Sequence, residues 1–220
     1  MVIVRRCLEK LFILWYNLLK RSGRKQVRII AGTAKGRTLK SLKGMTTRPT
    51  LDRVREAVFN ILGAKINNAS VLDLFAGTGA IGLEALSRGA ACCYFNDKNK
   101  AACRIIRENL TKCAFTQPVF ILTMDALECI SYLQKKGINN FDVIYLDPSY
   151  KEDIYSLLLK RILEAQLLAE EGIIIIETDK STFLEEKYSL DQKEHQVVKL
   201  IKKNKYGDTV IWFYKLWGEE

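Results

Sequence analysis

The 220-residue chain is poor in the residues that bind transition metals, with one histidine and six cysteines. No two cysteines are spaced as Cys-x-x-Cys, so the sequence gives no support for a zinc site. We expect no metal, and free thiols in a reducing cytoplasm. The single histidine, His195, falls in an expected edge strand, where a structural or solvated role is the simplest interpretation.

A long apolar run is also missing. The most apolar stretch near the N-terminus, Leu8–Leu19, is shorter than the roughly 20 residues that cross a bilayer, and no small-residue cleavage site follows it. The sequence therefore predicts neither a membrane span nor a secretory signal. Its helical spacing leaves open an amphipathic helix lying on a membrane or a partner, although we expect no stable membrane association.

Positive charge is concentrated in the first quarter of the chain. Residues 1–62 carry fifteen Lys/Arg and three Asp/Glu, whereas residues 63–220 carry twenty and twenty-two. This pattern predicts a basic phosphate-binding region attached to a near-neutral globular domain. A disordered solubilising tail is the alternative. The mixture of apolar, glycine and basic residues over Val27–Leu42 favours folded structure over a pure charge run.

The residue pattern predicts an open α/β fold. A short hairpin over Arg28–Leu39 and a helix over Leu51–Leu62 come first, followed by repeated strand–helix units. Two final strands, Val197–Ile201 and Val210–Leu216, are too close for a crossover helix and predict an antiparallel hairpin. The expected sheet therefore has seven strands and is mostly parallel. Five of them are expected before the hairpin, over Val71–Phe75, Cys92–Phe95, Val119–Thr123, Phe141–Leu146 and Gly172–Glu177.

An acidic residue stands at or just after the end of four predicted strands: Asp73, Asp97, Asp125 and Asp147. Ligands of open α/β sheets bind outside the carboxyl ends of the strands, so the four acids predict a polar cleft at that edge.

The first of these acids begins a glycine-rich loop, Asp73-Leu74-Phe75-Ala76-Gly77-Thr78-Gly79. With Gly82 it matches the dinucleotide fingerprint, and Asp97 is well spaced to accept ribose hydroxyls, which also fits a nicotinamide dehydrogenase. A carboxylate at Asp73 would repel a pyrophosphate but suits a ligand that carries an ammonium and a sulfonium.

The last of these acids begins Asp147-Pro148-Ser149-Tyr150. Proline fixes the turn and donates no hydrogen bond, so the Asp147 carboxylate and the Pro148 carbonyl are available as two acceptors for an exocyclic amine. Tyr150 offers a face on which a base can stack. An ordinary Asp-Pro turn is the alternative, and the glycine loop ahead of it favours the functional interpretation.

Together these motifs resemble the S-adenosylmethionine-dependent amino-methyltransferases of the Rossmann-like class I. The stretch from Arg48 to Leu62, with Arg28–Gly32, Lys35–Arg37 and Tyr206–Thr209, resembles the RsmD type more specifically. The resemblance implies methylation of the exocyclic N2 of a guanine in 16S ribosomal RNA, guanine 966 in the family's usual RNA numbering. It implies a cytoplasmic enzyme, expected to be a monomer, that acts on the small subunit or an assembly intermediate.

The resemblance also assigns roles to residues. Asp147, Pro148 and Tyr150 would hold the guanine. The predicted cofactor-binding residues are Asp73, Phe75, Gly77, Thr78, Gly79, Asp97, Asp125 and Ala126. The basic region supplies the predicted RNA-binding residues Arg28, Lys35, Arg37, Arg48, Arg53 and Arg55. Two positions depart from the family pattern, because Ser149 replaces a usual second proline and Asn99 a frequent acid.

We expect three segments: residues 1–26 as a dispensable or non-native extension, 27–62 as the RNA-binding hairpin and helix, and 63–217 as the methyltransferase domain. The resemblance begins at Val27, which suggests that translation starts there. Two other functions share parts of this pattern. One is a DNA adenine-N6 methyltransferase, which would need a target-recognition insert. The other is a non-catalytic RNA-binding factor of ribosome assembly.

Overall fold

The computed structural model of the chain describes residues 27–42, 49–148, 153–190 and 197–217. The expected extension 1–26, Arg48, Ser149, Tyr150 and His195 lie outside the described residues. The helices are α1 (Pro49–Leu62), α2 (Ala80–Ser87), α3 (Lys100–Cys113), α4 (Ala126–Lys135) and α5 (Asp153–Glu164). The strands are β1 (Ser70–Asp73), β2 (Cys92–Asn96), β3 (Val119–Leu122), β4 (Phe141–Leu146), β5 (Leu168–Asp179), β6 (Lys187–Ser189), β7 (Val197–Tyr206) and β8 (Thr209–Trp217).

The predicted fold class is confirmed. The strands form one mixed sheet in the order β3-β2-β1-β4-β5-β8-β7-β6. The first five of these are mutually parallel, and β8 pairs antiparallel with both β5 and β7. The described residues thus form eight strands, one more than predicted, because the short β6 adds an edge strand beside β7. Three residues without a long apolar run give little sequence pattern to detect.

Both faces of the sheet are covered. Ile173 and Ile175 of β5 pack into a buried cluster with the apolar side of α1, whereas Ile174 and Ile176 pack with α4 and α5 on the other face. This two-sided burial explains why the strand is a continuous run of isoleucines. Within the described residues, none of the helices combines the length and apolarity that a bilayer crossing requires.

The predicted N-terminal hairpin is small. Its two arms join at one antiparallel bridge between Arg28 and Thr38, and the Leu39 amide donates to the Val27 carbonyl at 2.8 Å. Alternation along the arms buries Val27 and Ile29 while Arg28 stays exposed. A hydrophobic side and a basic side therefore result from the same short segment.

The hairpin packs tightly on the end of α2. Gly32 has φ +82, and a Cβ there would lie 1.7 Å from the Ser87 carbonyl oxygen, so only glycine fits. The buried Glu84 carboxylate accepts hydrogen bonds from the Ile30 and Ala31 amides at 2.8 and 3.0 Å. Because α2 follows the glycine loop directly, these contacts attach the basic hairpin to the predicted cofactor site.

Candidate active site

A cavity of about 350 Å³ opens at the carboxyl ends of β1 and β4, where the strand order reverses. Such a switch point is where open α/β sheets bind their ligands. The cavity brings together most of the predicted site residues, with additional residues from the N-terminal region. Its lining includes Val27, Ser41, Arg55, Asp73, Phe75, Gly77, Thr78, Asn96, Asp97, Lys98, Met124, Asp125, Ala126, Tyr145, Asp147 and Glu177.

The glycine loop has the backbone conformation that its sequence predicts. Gly77 and Gly79 have φ of +54 and +79, in the left-handed region that favours glycine. The Gly79 amide donates to the Ala76 carbonyl at 2.7 Å, which closes a tight turn at the start of α2. Gly82 has a packing role, because a Cβ there would lie 2.3 Å from the Phe95 ring. Gly79 does not line the cavity, whereas Gly77 does.

Asp73 lies at the base of the cavity with 2% of its surface exposed. The pKa of its carboxyl is raised to about 7. Burial is the largest cause, the hydrogen bond from the Gly82 amide at 3.2 Å acts in the opposite direction, and the nearby Asp97 charge adds to the rise. A carboxylate so placed gains from a cationic ligand, because the ligand charge replaces the hydration that burial removed.

Asp97 and Asp125 lie on the lining beyond the loop. The Asp97 carboxylate accepts the Gly77 and Asn99 amides, each at 2.8 Å, through different oxygens. Each oxygen keeps a second lone pair, which leaves two acceptors for a pair of hydroxyls. Asp125 caps α4 by accepting the Leu127 amide at 3.0 Å, so it also has a structural role.

Asp147 follows β4 and opens onto the same cavity. The protein around the cavity removes water from its carboxyl and raises its pKa, and the Glu177 and then the Asp73 charges raise it further. The exposed carboxylate keeps part of its hydration in the open cavity, so we expect the shift to grow when a ligand displaces that water. Pro148 is buried and does not line the cavity, and Tyr150 lies outside the described residues.

Sequence reasoning missed Glu177, which stands near the end of β5 and lines the cavity beside Asp147. The Tyr145 hydroxyl donates to the Glu177 carboxylate at 2.6 Å. Burial raises the pKa of the Glu177 carboxyl. The rule that identified the other four acids, an acidic residue at the end of a parallel strand, also identifies Glu177, because the strand predicted over Gly172–Glu177 ends at this residue.

The predicted RNA-binding residues fall into two environments. Arg28, Lys35, Arg37 and Arg53 are exposed, and Arg37 also donates to the Lys112 carbonyl. Arg55 differs from the expectation, because its side chain is 4% exposed and lines the cavity. Arg55 is two residues from Arg53 on α1, about 200° around the helix axis, so it faces inward while Arg53 faces the solvent.

The described residues contain no group of three or more His, Cys, Asp or Glu arranged to hold a metal ion. Their five cysteines, in the part of the chain from Cys92 to Cys129, are all free thiols. Cys7 lies outside the described residues.

Comparison with known proteins gives consistent matches. A family model described as "Conserved hypothetical protein 95" matches residues 27–215. A Bacillus subtilis (strain 168) protein named "Putative rRNA methyltransferase YlbH" is 37% identical over 192 residues, covering 87% of this chain and 100% of that protein. "Ribosomal RNA small subunit methyltransferase D" of Escherichia coli (strain K12) is 34% identical over 158 residues, covering 72% and 77%.

Solved structures agree. "Putative methyltransferase yhhF from Escherichia coli" superposes with a TM-score of 0.74 at 26% identity, covering 89% of this chain and 100% of that one. A second structure, "putative methylase HI0767 from Haemophilus influenzae", gives a TM-score of 0.68 at 29% identity with the same coverage. By its matched residues, its relatives and its fold, the chain belongs to the RsmD family of ribosomal RNA methyltransferases.

Proposed function

We propose that the protein transfers a methyl group from S-adenosylmethionine to the exocyclic N2 of a guanine in small-subunit ribosomal RNA, guanine 966 in the family's usual numbering. The observation that carries the proposal is the pair Asp73 and Asp147. They stand at the ends of the adjacent parallel strands β1 and β4 and line one cavity. One carboxylate suits a cationic donor and the other suits an amine acceptor, so both substrates fit side by side.

The cavity fits this cofactor in size and in chemistry. Its volume lies within the roughly 300–1,000 Å³ typical of small-molecule sites. When bound, the cofactor supplies a sulfonium that gives up its methyl group and leaves as a neutral thioether. Asp73 and the glycine loop would hold the methionine part, Asp97 the ribose hydroxyls, and Asp125 with Ala126 the adenine.

Asp147 and Pro148 would position the guanine. The carboxylate and the proline carbonyl accept the two hydrogens of the exocyclic amine, which aims the nitrogen lone pair at the methyl carbon. Positioning of this kind supplies roughly 7–11 kcal/mol of a barrier. As the new carbon–nitrogen bond forms, the nitrogen becomes cationic and must release a proton. The raised pKa of Asp147 makes its carboxylate a stronger base for that proton.

The exposed cations of the N-terminal region would bind RNA phosphates. Arg28, Lys35, Arg37 and Arg53 carry charge without the desolvation found in the cavity. Phosphate contacts of this type give affinity that falls with salt and no sequence selectivity. Selectivity would then come from the cavity, which accepts a base turned out of its stack.

One experiment tests the proposal directly. Small ribosomal subunits that lack the modification are incubated with labelled cofactor, and their nucleosides are separated by mass. We expect N2-methylguanosine from the wild type and, over the same incubation time, far less from Asp147→Ala. N6-methyladenosine would favour an adenine methyltransferase instead. Absence of any methylated nucleoside, with RNA binding intact, would favour a non-catalytic assembly factor.

A further inference from the structure

Arg55 is a buried cation whose hydrogen bonds leave part of its guanidinium unused. Its Nη2 donates to the Arg28 carbonyl at 2.6 Å and to the Asp52 carboxylate at 3.0 Å. Its Nε lies 3.6 Å from the Glu84 carboxylate, beyond hydrogen-bond geometry, and has no partner among the described residues. Buried donors without partners are rare, because each costs about 1–3 kcal/mol. Since Arg55 also lines the cavity, a ligand there is a natural partner.

The cavity needs a cation of this kind. Five carboxylates line it, namely Asp73, Asp97, Asp125, Asp147 and Glu177. This set suits the sulfonium and the ammonium of the proposed cofactor but repels the carboxylate that the same methionine part carries. Among the described lining residues the cations are Arg55 and Lys98. Lys98 follows Asp97 in sequence and so stands at the proposed ribose end.

Arg55 lies beside α2, because its Nε is 3.6 Å from the carboxylate of Glu84 in that helix. The Gly82 amide of that helix donates to Asp73, and Glu84, two residues later, is the carboxylate nearest the Arg55 Nε. The acid proposed for the ammonium and this arginine therefore both contact α2, and both line the cavity. The ammonium and the carboxylate of the methionine part are attached to a single carbon, so a site for both needs an acid and a cation on the same cavity lining.

We propose that Arg55 binds the α-carboxylate of S-adenosylmethionine. The inference rests on the proposed cofactor, and it gives Arg55 a role in cofactor binding in place of the RNA-binding role predicted from the sequence. It also gives the N-terminal region a part in cofactor binding, because Arg55 holds the Arg28 carbonyl while Val27 and Ser41 line the cavity. Arginine suits this task, since its fixed fork of donors matches a carboxylate.

The test compares two ligands on one protein. S-adenosylmethionine and its decarboxylated analogue share the sulfonium and an ammonium, and they differ in the carboxylate. Calorimetric titration of the wild type should show tighter binding of S-adenosylmethionine by about 10- to 100-fold, the value of a charge-assisted hydrogen bond. In Arg55→Ala the ratio should fall to one or below, because the remaining acidic lining favours the more cationic analogue.

Two control variants separate this role from a general structural one. Lys98→Ala removes the other lining cation, and Arg53→Ala removes an exposed cation from the same helix. Both should keep the wild-type ratio of affinities. The ratio is measured within each protein, so a variant that loses some stability still reports on the carboxylate. Where Arg55→Ala does not fold, Arg55→Lys replaces it, with an intermediate ratio expected.

Equal wild-type affinity for the two ligands would overturn the inference and leave the proposed function standing. Collapse of the ratio in Lys98→Ala with an unchanged ratio in the Arg55 variants would overturn it as well. Failure of the wild type to bind either ligand would instead contradict the proposed function, since this assay contains no RNA.

Discussion

The N-terminal region (residues 27–62) and the sheet region (residues 63–217) differ in the sign and in the solvent exposure of their charged side chains. In the first, basic side chains such as Lys35 and Arg53 lie on the surface, where water stabilises them. In the second, carboxylates gather around one cavity, and Asp73 and Glu177 have raised pKa values because burial removes water from them. Exposed charge is suited to binding a long polyanion, whereas desolvated charge is suited to chemistry on a small cationic ligand.

Glu84 is one of the contacts between these two regions. It is fully buried in the sheet region, yet it accepts two amides of the N-terminal hairpin and pairs with Arg88 at 2.7 Å. Charge is therefore not strictly divided along the chain. Where the regions meet, the Arg55 guanidinium of the N-terminal region lies 3.6 Å from the Glu84 carboxylate of the sheet region.

The largest expected effect is on the chemistry of the sheet region. Asp147→Ala should lower the methylation rate by roughly 10²–10⁴-fold, because the amine loses its carboxylate acceptor. Affinity for RNA, which we assign to the N-terminal region, should stay within twofold. Single-turnover methylation and filter binding on the same preparation measure both. A methylation rate equal to that of the wild type would remove Asp147 from the mechanism.

The next effect concerns the contact between the regions. Glu84→Ala leaves the Ile30 and Ala31 amides and the Arg88 guanidinium without their acceptor and removes the carboxylate beside the buried Arg55, a loss of roughly 3–5 kcal/mol in the free energy of unfolding. For a chain of this size we expect the melting temperature to fall by roughly 6–20 °C. Glu56→Ala, which removes an exposed carboxylate from α1, is the control and should shift it by less than about 2 °C. Equal melting temperatures for the two variants would mean that Glu84 does not hold the regions together.

A third effect distinguishes the regions by pH. The folded-state pKa of Asp73 is about 7, above its ordinary value of 3.8. Between these values the folded protein keeps a proton that the unfolded chain has released, so the contribution of Asp73 to stability falls as pH rises to about 7 and is constant above it. The cationic cofactor prefers the ionised carboxylate, so its affinity should rise with pH, by up to about tenfold per unit below that pKa.

Calorimetry between pH 5.5 and 7.5 in buffers of different ionisation enthalpy checks this prediction through the protons released on binding. Asp73→Asn should bind more weakly and lose most of the pH dependence. Affinity for RNA, which we assign to the exposed cations of the N-terminal region, should be constant over the same range of pH. An affinity for the cofactor that falls with rising pH would contradict the assignment of Asp73.

The smallest expected effect belongs to single surface cations. Arg53→Glu should weaken RNA binding by about two- to fivefold and reduce the slope of log affinity against log salt by about 0.7–0.9. Cofactor affinity should not change. Arg161→Glu, an exposed cation on α5 across the sheet, is the control with the same charge change. Equal losses in both variants would show that net charge, rather than the N-terminal surface, governs RNA affinity.

Much of the fold could be predicted from the sequence, because apolar periodicity is a local property. The helix over Leu51–Leu62 begins two residues earlier, at Pro49, and β4 has the predicted limits Phe141–Leu146. The missed edge strand Lys187–Ser189 is stabilised by pairing with β7 rather than by its own residues. This strand forms only because β7 lies beside it in the folded sheet, and the three residues alone do not predict that pairing.

The candidate site also has features that the sequence predicts and features that depend on tertiary packing. The acids that end the strands and the glycines with positive φ are visible as residue types at set positions. Whether a residue faces the cavity depends on the packing around it, and Arg55 illustrates this. It lies two residues from the exposed Arg53 in a basic segment, so composition grouped the two arginines, whereas helix α1 turns their side chains to different sides.

The sequence by itself determined the family, the order of strands and helices, and the identity of the groups that carry the proposed chemistry, because these depend on residue type and spacing along the chain. The tertiary structure decided which charges lose their water. Only the folded chain brings Glu177 beside Asp147, buries Glu84 under the hairpin and turns Arg55 into the cavity. Desolvation and charge proximity arise from contacts between residues far apart in sequence, so they appear only when the elements pack together.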